Sequence, residues 1–238
     1  MNIRKLMIAA AALPMTMIST NAYAQDADEE EEATSAWEID GEVAVLSDYR
    51  FRGISLSDKD VEVTGELSVS HESGFYFGAW ASNVALEDSA DDLEVDVYAG
   101  FAKDAGNVTI DVGAVYYLYP GNGDFNYIEL LGSVGTAVGN GSVTLGVAYA
   151  PSQGNIGDED NVYVYIAGDT PIGDSRVSLH GSFGIEDGAF GDSKKDWLIG
   201  ASYDLGHGFT ATVDYVDTSR AYTSLGDATV VASIALAF

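Results

Sequence analysis

The chain has 238 residues and is strongly acidic, with 38 Asp and Glu against ten Lys and Arg and a formal net charge of −28. This charge argues against nucleic acid as a partner, because nucleic-acid binding needs a basic surface. The chain has no cysteine, which excludes a disulfide framework and thiol chemistry. Its length suits one domain.

Residues 1–24 have the pattern of a secretory signal peptide. Arg4 and Lys5 precede a short apolar run, residues 6–18, and the small-x-small motif Ala22-Tyr23-Ala24 follows it. We therefore expect export, with cleavage after Ala24. A membrane anchor is the alternative, and the shortness of the apolar run weighs against it.

Residues 25–36 are expected to form a disordered acidic arm before the fold. Their core is the run Asp26-Ala27-Asp28-Glu29-Glu30-Glu31-Glu32. Blocks of like charge repel themselves and do not pack. A cation-binding role for this arm is the alternative interpretation.

From Trp37 onward, apolar and polar residues alternate with a period of two. In residues 92–101, for example, Leu93, Val95 and Val97 alternate with Glu94 and Asp96. This period places the two kinds of side chain on opposite faces of a β-strand. The sequence predicts twelve strands, at 37–52, 60–72, 74–85, 92–103, 106–119, 125–138, 141–151, 161–170, 174–186, 195–205, 207–218 and 227–238.

The breaks between the predicted strands alternate between tight turns and longer loops rich in Gly, Asp, Asn and Ser. Glu72-Ser73-Gly74 and Gly139-Asn140-Gly141 are tight, whereas residues 152–160 and 187–194 make longer loops. This alternation is typical of bacterial outer-membrane barrels. We therefore predict an all-β fold, an antiparallel transmembrane β-barrel over residues 37–238 with twelve strands and both termini periplasmic. A soluble periplasmic β-sandwich is the alternative.

Aromatic residues fall near both ends of the predicted strands, where a barrel has its two interfacial girdles. The last predicted strand ends on Phe238, which resembles the signal read by the outer-membrane barrel assembly machinery. The expected partners are therefore that machinery, outer-membrane lipid and lipopolysaccharide. The predicted girdle residues are Trp37, Phe101, Phe209 and Phe238 on the turn side, and Tyr49, Phe51, Tyr116, Tyr127, Tyr149, Trp197 and Tyr215 on the loop side.

The segment SDYRFRGIS, residues 47–55, places two arginines in this acidic chain. If it continues the first strand, Tyr49 and Phe51 face lipid while Arg50 and Arg52 face the lumen, with Arg50 opposite Glu62 in a symmetric hairpin. Arginine suits confined carboxylates because its planar fork can satisfy two of them. The predicted lumen or selectivity residues are Arg50, Arg52, Asp48, Glu42, Glu62, Glu66, Glu94, Asp96, Asp111 and Glu129.

Two interpretations of these arginines remain open. In one, Arg50 and Arg52 form a basic station at a channel constriction and select solutes. In the other, they neutralise and cross-link the acidic lumen near its mouth.

Several short motifs resemble those of the TorF-type putative porins, a family of proteobacterial outer-membrane proteins. They are residues 48–55 (DYRFRGIS), 70–76 (SHESGFY), 80–84 (WASNV) and 117–121 (YLYPG). The resemblance runs from about Asp48 to Glu129. It implies an outer-membrane barrel with a presumed channel role, and no substrate or functional residues.

The sequence offers no catalytic constellation that we would trust. The three histidines, His71, His180 and His207, have no Ser-His-acid spacing. Asp158-Glu159-Asp160 lacks the spacing of a calcium loop. We therefore expect no enzyme activity, no cofactor and no metal site.

The favoured function is an outer-membrane porin-like channel for passive diffusion of small hydrophilic solutes, with an acidic lumen that prefers cations. The alternative is a non-conducting barrel that acts as an adhesin, receptor or surface scaffold through its long loops.

Overall fold

The computed structural model describes residues 35–86, 89–121, 123–221 and 223–238. The predicted signal peptide, its cleavage site and most of the acidic arm lie outside these residues. None of the helical turns in the described part has the length and apolar character needed to cross a bilayer.

The described residues form fourteen strands, of which twelve close into one antiparallel barrel in the order β1-β14-β13-β12-β11-β10-β9-β8-β7-β6-β5-β4. The two others, β2 and β3, pair with each other in the connection between β1 and β4. The strands are β1 Trp37–Leu46, β2 Arg50–Phe51, β3 Ile54–Ser55, β4 Glu62–His71, β5 Phe75–Leu86, β6 Ser89–Ala105, β7 Val108–Leu118, β8 Tyr127–Val138, β9 Gly141–Ala150, β10 Asn161–Pro171, β11 Val177–Gly188, β12 Gly191–Gly206, β13 Phe209–Ser219 and β14 Thr229–Ala237.

The barrel closes where the first and last strands pair, with Val43 opposite Leu236 and Leu46 opposite Ser233. Closure satisfies every strand edge, which a sheet in lipid requires. The first strand begins, and the last ends, at the end of the barrel with the tight turns. The predicted all-β antiparallel transmembrane barrel with twelve strands is therefore confirmed.

The outer face of the barrel is an apolar band that fits contact with lipid. In β1, the odd-numbered Ile39 is 67% exposed and Val45 is 49% exposed, whereas Ala44 is buried. Other apolar side chains exposed on the outside follow the same alternation. They include Val63, Leu67, Phe77, Val97, Ile110, Val112, Leu130, Leu145, Val164, Ile166, Ile199, Val213, Val230 and Ile234.

Two predicted boundaries were wrong. The first strand ends at Leu46 and not at residue 52. Residues 187–194 are not a long loop, because β11 and β12 continue through them and pair up to Gly188 opposite Gly191. Both errors concern the loop side, where strands extend or stop according to packing inside the barrel.

The side chains that point into the loop-side half of the barrel form a packed core. Tyr117, Tyr127 and Val115 there are 1% exposed or less, and so are Glu94 and Glu129. In a barrel of twelve strands, the side chains of the wall alone do not fill the lumen. Here the filling is the connection between β1 and β4.

Candidate functional site

The connection between β1 and β4, residues 47–61, folds into the barrel, and we call it the plug. The short strands β2 and β3 make it a hairpin, with Phe51 opposite Ile54. Arg52 and Gly53 form its two-residue turn with φ of 44° and 81°. Positive φ at both central residues is the geometry of a tight type I′ hairpin turn. An arginine is strained in this left-handed conformation, which indicates that contacts of its side chain hold the backbone there.

The base of the plug is held together around one carboxylate. Asp48 Oδ1 accepts hydrogen bonds from Ser55 Oγ at 2.6 Å and from Ser57 Oγ at 3.3 Å. The backbone N–H of Tyr49 donates to Ser57 Oγ at 3.0 Å. These short-range bonds give the plug a defined shape of its own.

The plug packs against the wall near its base through an aromatic contact and a backbone bond. The rings of Tyr49 and Trp80 lie 5.4 Å apart. The backbone N–H of Ala85, in β5, donates to the carbonyl of Leu56 at 2.8 Å. Tyr49, Trp80 and Leu56 are all buried. Burial of these aromatic and apolar side chains stabilises the inserted position of the plug.

Arg52, at the tip of the plug, reaches the far wall. Its guanidinium donates two parallel bonds to Glu129 in β8, Nη1 to Oε1 at 3.1 Å and Nη2 to Oε2 at 2.7 Å. Nη1 also donates to Glu186 Oε1 in β11 at 2.7 Å. Such bidentate, charge-assisted pairs are stronger than neutral hydrogen bonds. The plug therefore spans the lumen from the β1–β4 side to the opposite strands.

Two aromatic rings complete the surroundings of the Arg52 guanidinium. Its Cζ lies 4.4 Å from the ring centre of Phe51, in the plug, and 4.4 Å from that of Tyr163, in β10. Cation–π contacts of this kind gain strength where water is excluded. Burial lowers the pKa of Arg52, but the negative charges of Glu129 and Glu186 outweigh burial and hold that pKa well above its ordinary value.

Lys194 in β12 is the second cation at the plug tip. Its Nζ donates to the Arg52 carbonyl at 2.6 Å and pairs with Glu186 Oε2 at 2.8 Å. Glu186 thus receives two cations, whereas the cationic partner of Glu129 is Arg52. The site at the plug tip is consequently an ion network, with the arginine at its centre.

Arg50 has different partners from Arg52. Its Nε pairs with Asp48 Oδ2 at 2.6 Å, within the plug. Its Nη1 donates to the backbone carbonyls of Leu225 at 2.7 Å and Asp227 at 3.1 Å, in the connection between β13 and β14. Arg50 therefore joins the plug to the connection between β13 and β14.

Carboxylates outnumber cations among the buried side chains of this half of the barrel. Both side-chain oxygens of Glu62 and of Asp96, and one of Glu94, are buried without a hydrogen-bond partner. Glu94 Oε1 accepts from the Tyr119 hydroxyl at 3.0 Å. In the described part of the chain, no three His, Cys, Asp or Glu side chains are arranged to hold a metal ion. The buried carboxylates are Asp48, Glu62, Glu94, Asp96, Glu129, Glu186 and Asp196, against the basic side chains of Arg50, Arg52 and Lys194.

A family model described as "Bacterial protein of unknown function (Gcw_chp)" matches residues 30–238. The chain belongs to the Gcw_chp family. The match extends well past Glu129, where the motif resemblance ended. The family model does not carry the TorF-type name, so the assignment to the TorF-type porins remains a resemblance. A search of the curated proteins found no match.

Solved porins share the fold of this Gcw_chp chain. The KdgM porin, solved in complex with disordered oligogalacturonate, is 12% identical with a TM-score of 0.56, over 84% of this chain and 97% of the porin. The NanC porin is 10% identical with a TM-score of 0.52, over 84% and 98%. At this identity the likeness shows the barrel fold alone.

The structure places the predicted lumen residues of this Gcw_chp chain in two groups. Asp48, Glu62, Glu94, Asp96 and Glu129 lie in the buried loop-side half, near the plug. Arg50 and Arg52, in the plug, belong to the same half. Glu42, Glu66 and Asp111 line the turn-side half, where side chains are more accessible. There Glu42 lies opposite Glu66, Tyr98 donates to Glu66 Oε1 at 2.5 Å, and Tyr76 donates to Asp111 Oδ1 at 2.8 Å.

Three orientations predicted for aromatic residues were wrong. Tyr49 and Phe51 do not face lipid, because the chain leaves β1 at Leu46 and turns into the barrel, where both are buried. For the same reason Arg50 is not opposite Glu62, which pairs with Leu46. Tyr127 also points inward and stacks on Tyr117 with ring centres 4.3 Å apart.

Other predicted girdle residues lie on the outer face. Trp37 and Phe238 are 51% and 72% exposed at the turn side, and Tyr116 and Tyr215 are 42% and 41% exposed at the loop side. The ring of Phe238 lies against Gly41, where a Cβ atom would come within 2.6 Å of it.

Sequence reasoning missed the wall residues that receive the plug, Glu186, Lys194, Tyr163, Asn161 and Asp196. Lys194 was assigned to a loop because residues 187–194 contain two glycines and two aspartates. The sequence did contain one signal, because Glu186, Lys194 and Asp196 all have even residue numbers. It places all three on the inner face of adjacent strands.

Proposed function

We propose that this protein is an outer-membrane channel for small hydrophilic solutes that prefers cations, and that the plug is its gate. The observation that carries this proposal is the excess of carboxylates on the inner wall, seven buried acids against three buried bases around the plug. Carboxylates without a partner in a confined space favour the entry of positive charge. The proposed role is passive diffusion.

The acidic wall weighs against acidic oligosaccharides as solutes of this protein. The KdgM porin was solved with oligogalacturonate, a polymer whose units carry carboxylates. A lumen with an excess of negative charge repels such a polyanion. We infer that the solutes of this protein are cationic or neutral.

One observation favours the alternative of a non-conducting barrel with a surface role. The plug is held by buried ion pairs to β8 and β11, by a hydrogen bond from Lys194 in β12 to the Arg52 carbonyl, and by backbone bonds at its base. Such contacts favour a permanently closed lumen as well as a gated one. The two functions differ in whether the complete protein ever conducts.

Swelling of liposomes that contain the refolded protein tests the proposal. We expect isosmotic arginine or lysine to enter faster than glutamate through the complete barrel. A variant with residues 48–60 replaced by a short Gly-Ser linker should show the same order at a higher rate. Swelling with the shortened variant alone would contradict a channel role and favour the surface scaffold.

We also propose that the signal peptide directs export to the periplasm, and that Phe238 is read by the barrel assembly machinery. The exposed position of Phe238 at the end of the closing strand supports this, since the ring is accessible on the lipid-facing side. Phe238→Ala should lower the yield of assembled barrel in membranes, measured by heat-dependent gel mobility.

A further inference from the structure

The guanidinium of Arg52 contacts three side chains of the wall, Glu129 and Glu186 through hydrogen bonds and Tyr163 through its ring. We propose that Glu129, Glu186 and Tyr163 form a recognition site for guanidinium cations, occupied by Arg52 in the closed state and open to the guanidinium group of a small solute when the plug withdraws. This inference rests on the proposed channel function for its biological use. The binding itself does not depend on conduction.

The two carboxylates and Tyr163 belong to the wall, and the plug adds the ring of Phe51 to the surroundings of the guanidinium. The hydroxyl of Tyr117, in β7, donates to Glu129 Oε2 at 3.0 Å. The side-chain amide of Asn161, in β10, donates to Glu186 Oε1 at 3.0 Å. Both carboxylates are 1% exposed or less. These bonds orient the carboxylates whether or not Arg52 is present, so the site is pre-organised.

Tyr163 is held in place in the same way. Its hydroxyl donates to Asp196 Oδ1 at 2.9 Å. Its ring lies over Gly184 of β11, where a Cβ atom would clash with the tyrosine. The ring face is thereby fixed towards the position that a planar cation occupies.

The geometry selects guanidinium over ammonium. Glu129 receives two parallel N–H bonds from a planar fork, and Tyr163 contacts the face of that fork. An ammonium group is a point charge and cannot make this bidentate, stacked arrangement. Only the terminal nitrogens of Arg52 are used, since its Nε has no hydrogen-bond partner. An N-alkyl guanidinium from solution can make the same contacts.

Withdrawal of the plug leaves Glu129 without its cationic partner, because Lys194 pairs with Glu186 and Asp196. A buried carboxylate in that position favours any cation that fits. Solutes with a guanidinium group, such as arginine or its decarboxylated form, therefore compete with Arg52 for the site.

The test uses Arg52→Gly, which removes the guanidinium and suits the positive φ of the turn. Isothermal titration of the refolded variant in detergent with methylguanidinium should show saturable binding. Binding of methylammonium should be at least tenfold weaker. The double variant Arg52→Gly/Glu129→Gln should lose the difference between the two cations. The unaltered protein and Lys59→Ala, which changes an exposed plug lysine, should bind methylguanidinium at least tenfold more weakly than Arg52→Gly.

Equal binding of the two cations, or no saturable binding by a folded Arg52→Gly barrel, would overturn the inference. If Arg52→Gly does not fold, Arg52→Asn takes its place, because asparagine also tolerates positive φ. The result is separate from the channel proposal. If the barrel binds methylguanidinium but never conducts, the channel proposal is contradicted and the binding site stands. If the barrel conducts but does not distinguish the two cations, the binding site is contradicted and the channel proposal stands.

Discussion

Arg52 makes the ion pairs that hold the tip of the plug against the far wall. It occupies a left-handed backbone conformation and bridges two strands of the far wall with a guanidinium that is largely buried. Removing one partner of a buried ion pair is costly, because the other partner stays buried and unpaired. The residue therefore couples the position of the plug to the charge of the wall.

For Arg52→Gly we predict a large shift towards the open state. Loss of the bridge to Glu129 and Glu186 weakens the closed state by about 3 kcal/mol. This corresponds to an increase in the ratio of open to closed protein of roughly a hundredfold. Single-channel recording measures this ratio directly, and Lys59→Ala is the matched control. An unchanged open fraction would show that Arg52 does not hold the plug.

Gly53→Ala should also loosen the plug tip, for a different reason. Gly53 has a φ of 81°, and a Cβ atom there would collide with the hydroxyl oxygen of Thr218 in β13. Alanine is strained in this conformation and has no space against the wall. We expect a higher open fraction than in the parent, and Gly53→Ala combined with Thr218→Gly should recover part of the difference. A Gly53→Ala channel that closes as well as the parent would contradict the described turn.

At the residue scale, part of the site was predictable from parity alone. Period two put Glu94, Asp96 and Glu129 on the inner face of their strands, and they are buried there. Parity also put Arg52 inside, but on an extension of β1 that the structure lacks, so its buried position comes from the fold of the plug. The same rule placed Tyr127 on the inner face, since it shares its parity with Glu129. Its assignment to a girdle followed the aromatic type of the residue and ignored its parity.

At the scale of elements, the plug is the feature that the sequence did not predict. Its aromatic residues continue the odd parity of β1, so the alternation itself gives no sign that the strand stops at Leu46. Two signals were available in the sequence. Asp48, Ser55 and Ser57 can hydrogen-bond to one another, as they do inside the plug. Arg52-Gly53 can form a two-residue hairpin turn. Only the packing against Trp80 and the far wall decides whether the chain continues as a strand past Leu46 or turns inward to form the plug.

Trp80 makes the movement of the plug measurable. It is 3% exposed and its ring packs against Tyr49 of the plug. In a Trp37→Phe/Trp197→Phe background, Trp80 is the remaining tryptophan. We predict blue-shifted emission from this protein, and a red shift with stronger acrylamide quenching after Arg52→Gly. Identical spectra in the two proteins would indicate that the plug does not leave Trp80.

Replacing residues 48–60 by a short Gly-Ser linker should leave the barrel intact. β1 and β4 pair up to Leu46 opposite Glu62, so a short turn can join them. The heat-dependent gel mobility of the variant should match that of the parent, because the barrel closes through β1 and β14 and not through the plug. Loss of the folded band would show that the plug is required for the fold.

At the scale of the whole molecule, the barrel was well predicted because lipid and water impose the same alternation on every strand. All twelve barrel strands lie within a few residues of their predicted positions, except at the end of β1. Where both faces of a strand are apolar, the alternation does not show which face points outward. Residues 74–81 are apolar on both faces, and only the structure shows that Phe75 and Phe77 face outward and Trp80 inward.

In our proposal, solutes pass through an acidic lumen once the plug moves aside. The decisive measurement is the reversal potential of the complete protein in a planar bilayer under a potassium chloride gradient, with the barrel whose residues 48–60 are replaced as the control for an open lumen. We predict stepwise current from the complete protein, with a reversal potential shifted towards the potassium equilibrium potential, which is cation selectivity from the carboxylate-lined wall. Anion selectivity, or the absence of any current through a correctly folded barrel, would contradict it.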